Sequence, residues 1–209
     1  MSSTHPHGTN PVDKENRLAF LRAFFRRPKE VGSVIPSSRF LKERIVDNAD
    51  LSDAQVVVEL GPGTGGTTRA LLDQMQPGAK LLAIEINQHF CELLTREFDD
   101  PRLVVHCGSA TEIADALEQH DLEPADVILS GIPFSTMEKH IGLEILRSVR
   151  SSLAPGGRFV AYQFRDRVET LGRGVFGDAR VQTELRNVPP MRVYRWDLGG
   201  PGDPEPLPA

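Results

Sequence analysis

The stretch that decides the fold reads Gln-Val-Val-Val-Glu-Leu-Gly-Pro-Gly-Thr-Gly and occupies residues 55–65. Its first part, residues 55–60, is a short run of β-branched and apolar residues, which is typical of a strand buried on both faces. Alternate glycines follow directly, and glycine is needed where the backbone turns tightly and a ligand approaches it closely. The stretch therefore predicts a buried strand, a ligand-binding turn and the start of a helix.

The rest of the chain repeats the alternation of strand and helix. We predict further strands at 80–85, 102–107, 125–130 and 158–164, and helices at 67–75, 88–98, 112–119 and 137–153. Strands that alternate with helices indicate a parallel sheet with right-handed crossovers. The last two strand-like runs, 181–187 and 192–198, are joined only by Val188-Pro189-Pro190, which is too short for a crossover helix. They predict an antiparallel hairpin that closes a mostly parallel α/β sheet.

Length and charge limit the classes of function. The 209 residues carry a net charge of −5, are 39% hydrophobic and contain no run of about 18 apolar residues, so we expect one domain and no membrane-spanning helix. Residues 13–44 hold nine Lys/Arg against four Asp/Glu, a local +5 that leaves −10 for the remainder. An acidic protein with one basic segment is a poor general nucleic-acid binder, but the segment could meet an anionic surface.

The composition also predicts how the chain divides. We expect disordered tails at 1–13 and 199–209, a basic amphipathic helix and covering segment at 14–44, and the main domain at 45–198. No secretory leader is expected at the start of the sequence. The cysteines Cys91 and Cys107 have no zinc-type spacing, so we expect no metal, two free thiols and a reducing cytoplasm.

Acidic residues beside the glycine turn indicate the kind of ligand. Glu59 stands two residues before Gly61, and the G-P-G-T-G spacing lacks the third glycine of a dinucleotide site. A carboxylate at this place would repel a pyrophosphate but suits a ligand that carries an ammonium and a sulfonium. Glu85, at the end of the second strand, can accept hydrogen bonds from ribose hydroxyls. The turn Gly108-Ser109-Ala110 follows the third strand, where it could lie against the edge of an adenine ring.

These motifs resemble those of the class I S-adenosylmethionine-dependent methyltransferases over about residues 30–198. The resemblance implies a Rossmann-like seven-stranded sheet with helices on both faces, S-adenosyl-L-methionine as cofactor and S-adenosyl-L-homocysteine as product. It implies that the cofactor contacts Glu59, Gly61, Pro62, Gly63, Thr64, Gly65, Glu85, Ile86, Gly108, Ser109, Ala110 and Ser130. Ser109 stands where many members have an aspartate, so the adenine contact there departs from the family's pattern.

The segment after the fourth strand bears on the methyl acceptor. It reads Ser-Gly-Ile-Pro-Phe at residues 130–134, where DNA and rRNA adenine methyltransferases carry N/D-P-P-Y/F or N-L-P-Y. Ser130 offers a single oxygen where those enzymes offer an amide or carboxylate. This departure argues against a planar base as the acceptor and leaves another amine possible.

A basic helix is predicted at residues 17–27, because its sequence RLAFLRAFFRR ends directly before Pro28. On a helical wheel, Leu18, Phe20, Leu21, Phe24 and Phe25 share one face, while Arg22 and Arg26 lie opposite. The pattern is typical of a helix in a membrane interface. The wheel leaves open a helix that packs on the sheet with its arginines solvated.

The sequence at residues 24–41, F-x-R-x-P-K-E-V-G-S-V-I-P-S-S-R-F-L, resembles the opening of the bacterial phospholipid N-methyltransferases. The resemblance continues through A-I-E-I-N, S-G-I-P-F and the closing N-V-P-P-M-R-V-Y-R-W. It implies methylation of phosphatidylethanolamine to its mono-, di- and trimethylated forms, the last being phosphatidylcholine. It also implies a cytoplasmic enzyme held peripherally at the inner face of the cell membrane by anionic lipid, without nucleic acid or an obligate protein partner.

On this interpretation, Ser130 and Tyr162 are the candidate catalytic residues that orient the amine. The rings of Tyr162 and Phe134 could pack against the methylated cation. The remaining candidate substrate contacts are Ser37, Ser38 and Arg39 for the lipid phosphate, with Ile132 and Arg165. No histidine or carboxylate stands out as the base. Ordinary packing remains an alternative for each of these residues.

Three other functions stay open at this point. The acceptor could be another amino-lipid, such as an ornithine or homoserine lipid, or a soluble amine. The chain could be an rRNA adenine dimethyltransferase, although those enzymes carry a helical RNA-binding domain that the sequence does not indicate. It could also be a non-catalytic membrane-binding protein with a vestigial cofactor turn.

Overall fold

A seven-stranded sheet runs through the protein, for which the computed structural model describes residues 38–199. The strands are β1 (Val56–Leu60), β2 (Lys80–Glu85), β3 (Leu103–Cys107), β4 (Ala125–Ser130), β5 (Leu153–Gln163), β6 (Arg180–Glu184) and β7 (Met191–Asp197). The helices are α1 (Arg39–Ala49), α2 (Gly66–Gln74), α3 (Gln88–Glu97), α4 (Ile113–Gln119), α5 (Lys139–Ser152) and α6 (Arg167–Phe176), with a 3-10 turn at Phe134–Thr136.

The strand order is β3-β2-β1-β4-β5-β7-β6. Strands β1 to β5 are parallel, and β7 runs antiparallel to both β5 and β6. All five residues of β1 are buried, as expected for a central strand covered on both faces. The predicted α/β sheet with a C-terminal antiparallel hairpin is therefore confirmed.

The register of the hairpin places its loop at the functional edge of the sheet. Gln163, the last residue of β5, pairs with Arg192, and Glu184 pairs with Met191. The loop at 185–190 therefore lies at the carboxyl ends of the parallel strands. In open α/β sheets this edge is where ligands bind.

Helix α1 belongs to the core. Ser38 caps it by accepting a hydrogen bond from the Leu41 amide (3.2 Å), and Leu41, Ile45 and Ala49 are buried in the main apolar cluster. The helix crosses the predicted domain boundary between residues 44 and 45 and, like α6, was not predicted as a helix from the sequence.

The expectation of two free thiols is wrong, because Cys91 and Cys107 form a disulfide. Strand pairing sets Glu85 opposite Cys107, and Cys91 lies in the first turns of the helix that follows Glu85. The Cα atoms of the two cysteines are thereby brought to 6.0 Å, within the usual range for a disulfide. The cysteines consequently give no support to a reducing compartment.

Several predictions fall on residues outside the described range. They are the tail at 1–13, the helix at 17–27 with all of its proposed membrane contacts, Ser37, and residues 200–209. Within residues 38–199, no helix has both the length and the apolar character needed to cross a bilayer.

Candidate active site

The glycine turn between β1 and α2 has three residues with left-handed backbone. Gly61, Gly63 and Gly65 have φ values of 72°, 56° and 78°. A Cβ on Gly65 would lie 2.5 Å from the Phe98 ring, whereas a Cβ on Gly63 would meet nothing within 4 Å. Gly65 is thus needed for packing, while Gly63 borders open space that a ligand can enter. The neighbouring Pro62 is buried and Thr64 is exposed.

Glu59 lies buried beneath this turn with half of its carboxylate unpaired. One oxygen accepts a hydrogen bond from the Thr68 hydroxyl (2.6 Å), and the other, Oε1, has no partner. Burial raises the pKa of Glu59 to about 7, although the bond from Thr68 opposes the rise. An unpaired buried carboxylate oxygen is costly unless a donor or cation reaches it. The position therefore suits an ammonium group of a ligand.

Glu85 is the second acid of the site. Its oxygens accept hydrogen bonds from the amides of Gly63 (3.1 Å) and Asn87 (2.9 Å), which joins the end of β2 to the glycine turn. Burial raises the pKa of Glu85, and these amide bonds partly counter the rise. Each carboxylate oxygen can still accept a further bond, so Glu85 can serve a pair of ribose hydroxyls, with the partly buried Ile86 beside it.

The turn after β3 is tied to Glu85 but uses its serine internally. The Gly108 amide donates to the Glu85 carbonyl (3.0 Å). Ser109 is buried, and its hydroxyl bonds to the Thr111 hydroxyl (2.8 Å) and accepts from the Thr111 amide (3.2 Å). With Ala110 also buried, any polar contact to an adenine is left to the backbone.

These observations fit S-adenosylmethionine. Glu59 would hold the ammonium of its methionine part, Glu85 the ribose, and the turn at 108–110 the adenine. When bound, this cofactor supplies an electrophilic methyl group on a sulfonium. Among residues 38–199, no group of three or more His, Cys, Asp or Glu side chains is placed to bind a metal ion. That the reaction needs no metal stays a prediction.

The predicted acceptor segment is held by a residue that the sequence did not single out. Buried Gln163 donates to the Ile132 carbonyl (2.6 Å) and accepts from the Phe134 amide (3.3 Å). Ser130 is fully buried, and its hydroxyl accepts from the Ile132 amide (3.3 Å). Ile132 is buried too, and Phe134 packs into the core beside Gly142. The structure thus gives all three a packing role, and their substrate contacts stay predictions.

Tyr162 brings a hydroxyl over this segment. A Cβ on Gly131 would lie 2.4 Å from the Tyr162 hydroxyl, so only glycine leaves room for it. The hydroxyl is 3.3 Å from the Thr67 hydroxyl, at the start of α2. Burial, reinforced by nearby Glu59, raises the pKa of Tyr162 well above its usual range. The phenol therefore stays protonated and can orient an amine, but it cannot serve as a base at neutral pH.

The predicted phosphate contacts lie apart in the sequence but at one edge of the sheet. The Ser38 amide donates to the Asn187 side chain (3.0 Å), which places the start of α1 on the hairpin loop. The Arg39 guanidinium lies 4.6 Å from the centre of the Phe40 ring. Arg165 is exposed two residues after β5. Their contact with a phosphate stays a prediction.

A relative matches most of the chain. The ornithine lipid N-methyltransferase of Singulisphaera acidiphila is 32% identical over 84% of this chain and 92% of its own length. The chain belongs to the S-adenosylmethionine-dependent methyltransferases, in the family of that enzyme. The assignment made from the glycine turn and Glu85 is confirmed at this level.

Other similarities of this methyltransferase are partial or concern the fold. A family model described as ribosomal RNA adenine dimethylase matches residues 25–109. The ribosomal RNA small subunit methyltransferase A of Thermotoga neapolitana is 32% identical over 56% of this chain and 43% of its own length. The structure of the 1,6-didemethyltoxoflavin-N1-methyltransferase of Burkholderia thailandensis, with 1,6-didemethyltoxoflavin and S-adenosylhomocysteine bound, aligns over 95% of this chain and 94% of its own, with a TM-score of 0.66 and 16% identity. This last match supports the fold alone.

Proposed function

We propose that this methyltransferase acts on the primary amine of a membrane lipid, and that phosphatidylethanolamine is its acceptor. The observation that carries the proposal is the near end-to-end match to a lipid N-methyltransferase. The rRNA adenine dimethylase model, in contrast, ends at residue 109 and so covers the cofactor turns but not the acceptor segment at 130–134.

The environment of Tyr162 supports an amine rather than a base. Its protonated hydroxyl can accept a hydrogen bond from an amine N–H while it donates to Thr67. Beside it, the acceptor segment begins with the fully buried Ser130, whose hydroxyl is already bonded within the segment. The segment thus offers no side-chain amide to hold the edge of a planar base.

Transfer requires the amine in its neutral form. An alkylamine has a pKa near that of lysine, about 10, so it reaches the site mostly protonated at neutral pH. Each methyl transfer then releases one proton. Water at the exposed edge of the sheet is the simplest acceptor, since Tyr162 keeps its own proton. Most of the catalysis would come from holding the nitrogen in line with the methyl carbon.

An ornithine lipid is the second candidate acceptor, because the lipid named for the Singulisphaera relative is an ornithine lipid. The two lipids differ in the anionic group that lies near the amine, and the chain could distinguish them by contacts to that group. Phosphatidylethanolamine carries a phosphate near its amine, whereas the anionic group of an ornithine lipid is a carboxylate. Arg39 and Arg165 would contact a phosphate in the first lipid and could contact a carboxylate in the second.

We also propose that the chain works peripherally on an anionic membrane surface at the inner face of the cell membrane. The basic helix predicted at 17–27 supports this idea. Replacing Phe24 and Phe25 together by serine is expected to abolish vesicle binding and to leave cofactor binding intact. Unchanged vesicle binding would mean that the helix packs on protein instead.

A lipid panel tests the substrate. Purified protein is incubated with methyl-labelled S-adenosylmethionine and detergent-dispersed phosphatidylethanolamine, ornithine lipid or phosphatidylglycerol, and in parallel with ethanolamine, free ornithine and small-subunit rRNA. We expect label in phosphatidylethanolamine. The Glu59→Gln variant is the matched control and should lose labelling in every arm.

The outcomes separate the candidates. Label in ornithine lipid alone would replace phosphatidylethanolamine by the second candidate. Label confined to soluble amines or rRNA would overturn a lipid acceptor altogether. An Arg165→Ala variant that loses activity on phosphatidylethanolamine but keeps it on ornithine lipid would identify the phosphate contact.

A further inference from the structure

Three large apolar side chains are exposed at one edge of the sheet. Leu185 and Val188, in the hairpin loop, are 73% and 80% exposed, and Phe164, directly after β5, is 55% exposed. Because Gln163 pairs with Arg192, Phe164 lies next to the hairpin at the carboxyl edge of the sheet. Among residues 38–199, Val181 on β6 is the one other exposed large apolar residue, at 43%.

The hairpin loop is built to hold these side chains outward. Between them lies Asn187, which is buried: its side chain accepts from the Ser38 amide (3.0 Å) and donates to the Pro189 carbonyl (2.9 Å). A buried polar side chain therefore anchors the centre of the loop, between two exposed apolar side chains. Leu185 and Val188 flank the anchor and stay in solvent, at a cost that an apolar environment would remove.

The surrounding charge is complementary to an anionic surface. Residues 164–167 and 185–192, which we call the hairpin edge, contain four arginines and one aspartate, a local +3 in a chain of net charge −5. The Arg186 guanidinium lies 4.0 Å from the centre of the Phe40 ring and pairs with Glu184. The pairing with Glu184 offsets one of these charges and leaves a local +2, carried by arginines that stand next to the apolar residues in the sequence.

We propose that the hairpin edge docks on an anionic lipid bilayer, with Leu185, Val188 and Phe164 entering its interface. Exposed apolar side chains with arginines beside them in the sequence suit a headgroup region, where the apolar side chains can reach acyl carbon and the guanidinium groups can contact phosphate. The inference rests on the proposed function for its biological sense. It adds to the helix predicted at 17–27 a second membrane contact that is too weak to hold the chain on vesicles by itself.

The position of the edge explains why a bilayer is the fitting occupant. The glycine turn, the acceptor segment and the hairpin loop all follow strand ends at the same edge of the sheet. A bilayer against this edge would bring lipid head groups to the side from which the cofactor turn is approached. The lipid amine would then need to rise only a little from the membrane to react.

Tryptophan reporters test the contact directly. The chain has one tryptophan, Trp196, which is 3% exposed and gives a constant background. Full-length Val188→Trp protein is mixed with vesicles of phosphatidylcholine and phosphatidylglycerol in equal parts. We expect a blue shift of its emission and quenching by brominated lipid. The matched control is Val181→Trp on β6, which should show neither.

A second pair of variants measures affinity. Leu185→Ser with Val188→Ser should weaken partitioning into these vesicles by about tenfold, since two apolar side chains lose their burial. Val181→Ser should leave partitioning unchanged. Equal partitioning of the double variant and the parent, or no response of the Val188→Trp reporter, would overturn the proposal.

The activity readout keeps this inference apart from the proposed function. The double variant should methylate detergent-dispersed lipid like the parent and vesicle lipid more slowly. If the parent labels lipid in both forms and the double variant does the same at equal rates, the docking edge is wrong while the lipid acceptor stands. If vesicles bind through the edge but no lipid is labelled, the lipid acceptor is wrong.

Discussion

The two parts of the sheet, which we call the first side (β1 to β3) and the second side (β5 to β7), differ in which groups they bury. On the side of β1 to β3, carboxylates are buried: Glu59 and Glu85 point at a glycine turn, and one oxygen of Glu59 is left unpaired. On the side of β5 to β7, apolar side chains and arginines are exposed around the hairpin loop. The rRNA adenine dimethylase model matches the first side and stops before the second.

This difference teaches where the reaction and the acceptor are specified. The first side is built to receive one small charged molecule, and related turns can serve methyltransferases with unrelated acceptors. On the proposed function, the second side bears the features by which a lipid could be distinguished from a nucleic acid. Changes on the first side should therefore affect every substrate alike, and changes on the second should affect lipid substrates selectively.

The largest expected effect tests whether the glycine turn of the first side is fixed by tight packing. Gly65→Ala would strain a left-handed residue and push a methyl group to 2.5 Å from the Phe98 ring. We expect a loss of about 3 kcal/mol of unfolding free energy, measured by urea denaturation. Gly63→Ala is the control, since its methyl would meet no protein atom: it should cost only about 1 kcal/mol yet weaken cofactor binding. Equal destabilisation by both would disprove the distinction between packing and ligand-facing glycines.

The next effect lies where the two sides meet. Tyr162→Phe removes the hydroxyl above Gly131 and keeps the ring, so amine methylation should slow about tenfold through loss of one hydrogen bond. Calorimetry should find the affinity for S-adenosylhomocysteine unchanged. A variant with normal turnover and weakened cofactor binding would assign Tyr162 to the first side instead.

The pH dependence of cofactor binding is a slightly smaller effect. Because the pKa of Glu59 is raised to about 7, the ligand-free protein gains stability from the protonated acid at low pH and loses it as the pH rises through 7. A cofactor ammonium requires the carboxylate, so affinity should move the other way and fall about eightfold from pH 7.5 to pH 6. Calorimetric titration of Glu59→Gln should give a flat profile over this range. A slope that survives in this variant would indicate Glu85, whose pKa is also raised.

The smallest effect concerns the junction of α1 with the hairpin. Two arginines, Arg44 and Arg186, hold the Glu184 carboxylate and lower its pKa to about 2. The stabilisation is therefore full above about pH 4.5 and is lost as the pH falls toward 2. Glu184→Gln should melt slightly below the parent at pH 6, and the difference should vanish near pH 2. A constant difference across this range would show that Glu184 acts by shape rather than charge.

Local features were predictable from the sequence, and tertiary ones were not. The strand, the glycine turn and the helix after it follow from spacings within a single β-α unit, so these elements were predicted from the sequence, and their contacts with the cofactor stay predictions. The hydrogen bond from Gln163 to Ile132 joins residues 31 positions apart, and the Tyr162–Thr67 contact joins residues 95 positions apart. No local sequence pattern predicts either contact. Likewise, Cys91 and Cys107 come together only through the pairing of β2 with β3.

Some elements were missed for a different reason. Helix α6 contains Gly172 and Gly174, which lower helix propensity, and its formation depends on packing instead. Gly172 faces Trp196 so closely that a Cβ would lie 2.9 Å from the indole. Ser130 and Phe134, which were predicted to contact substrate, are fully buried, and this burial could not be inferred from one sequence.

The bond between the Ser38 amide and Asn187 has a consequence for binding strength. It ties the start of α1 to the centre of the hairpin loop. If the sequence before residue 38 and the hairpin edge both bind a bilayer, as we propose, the chain would act as a bivalent ligand, because capture of one contact keeps the other near the same bilayer. Their joint affinity would exceed that of either by an amount set by effective concentration rather than by new contacts. Asn187→Ala would remove both the bond to the start of α1 and the bond that anchors the hairpin loop.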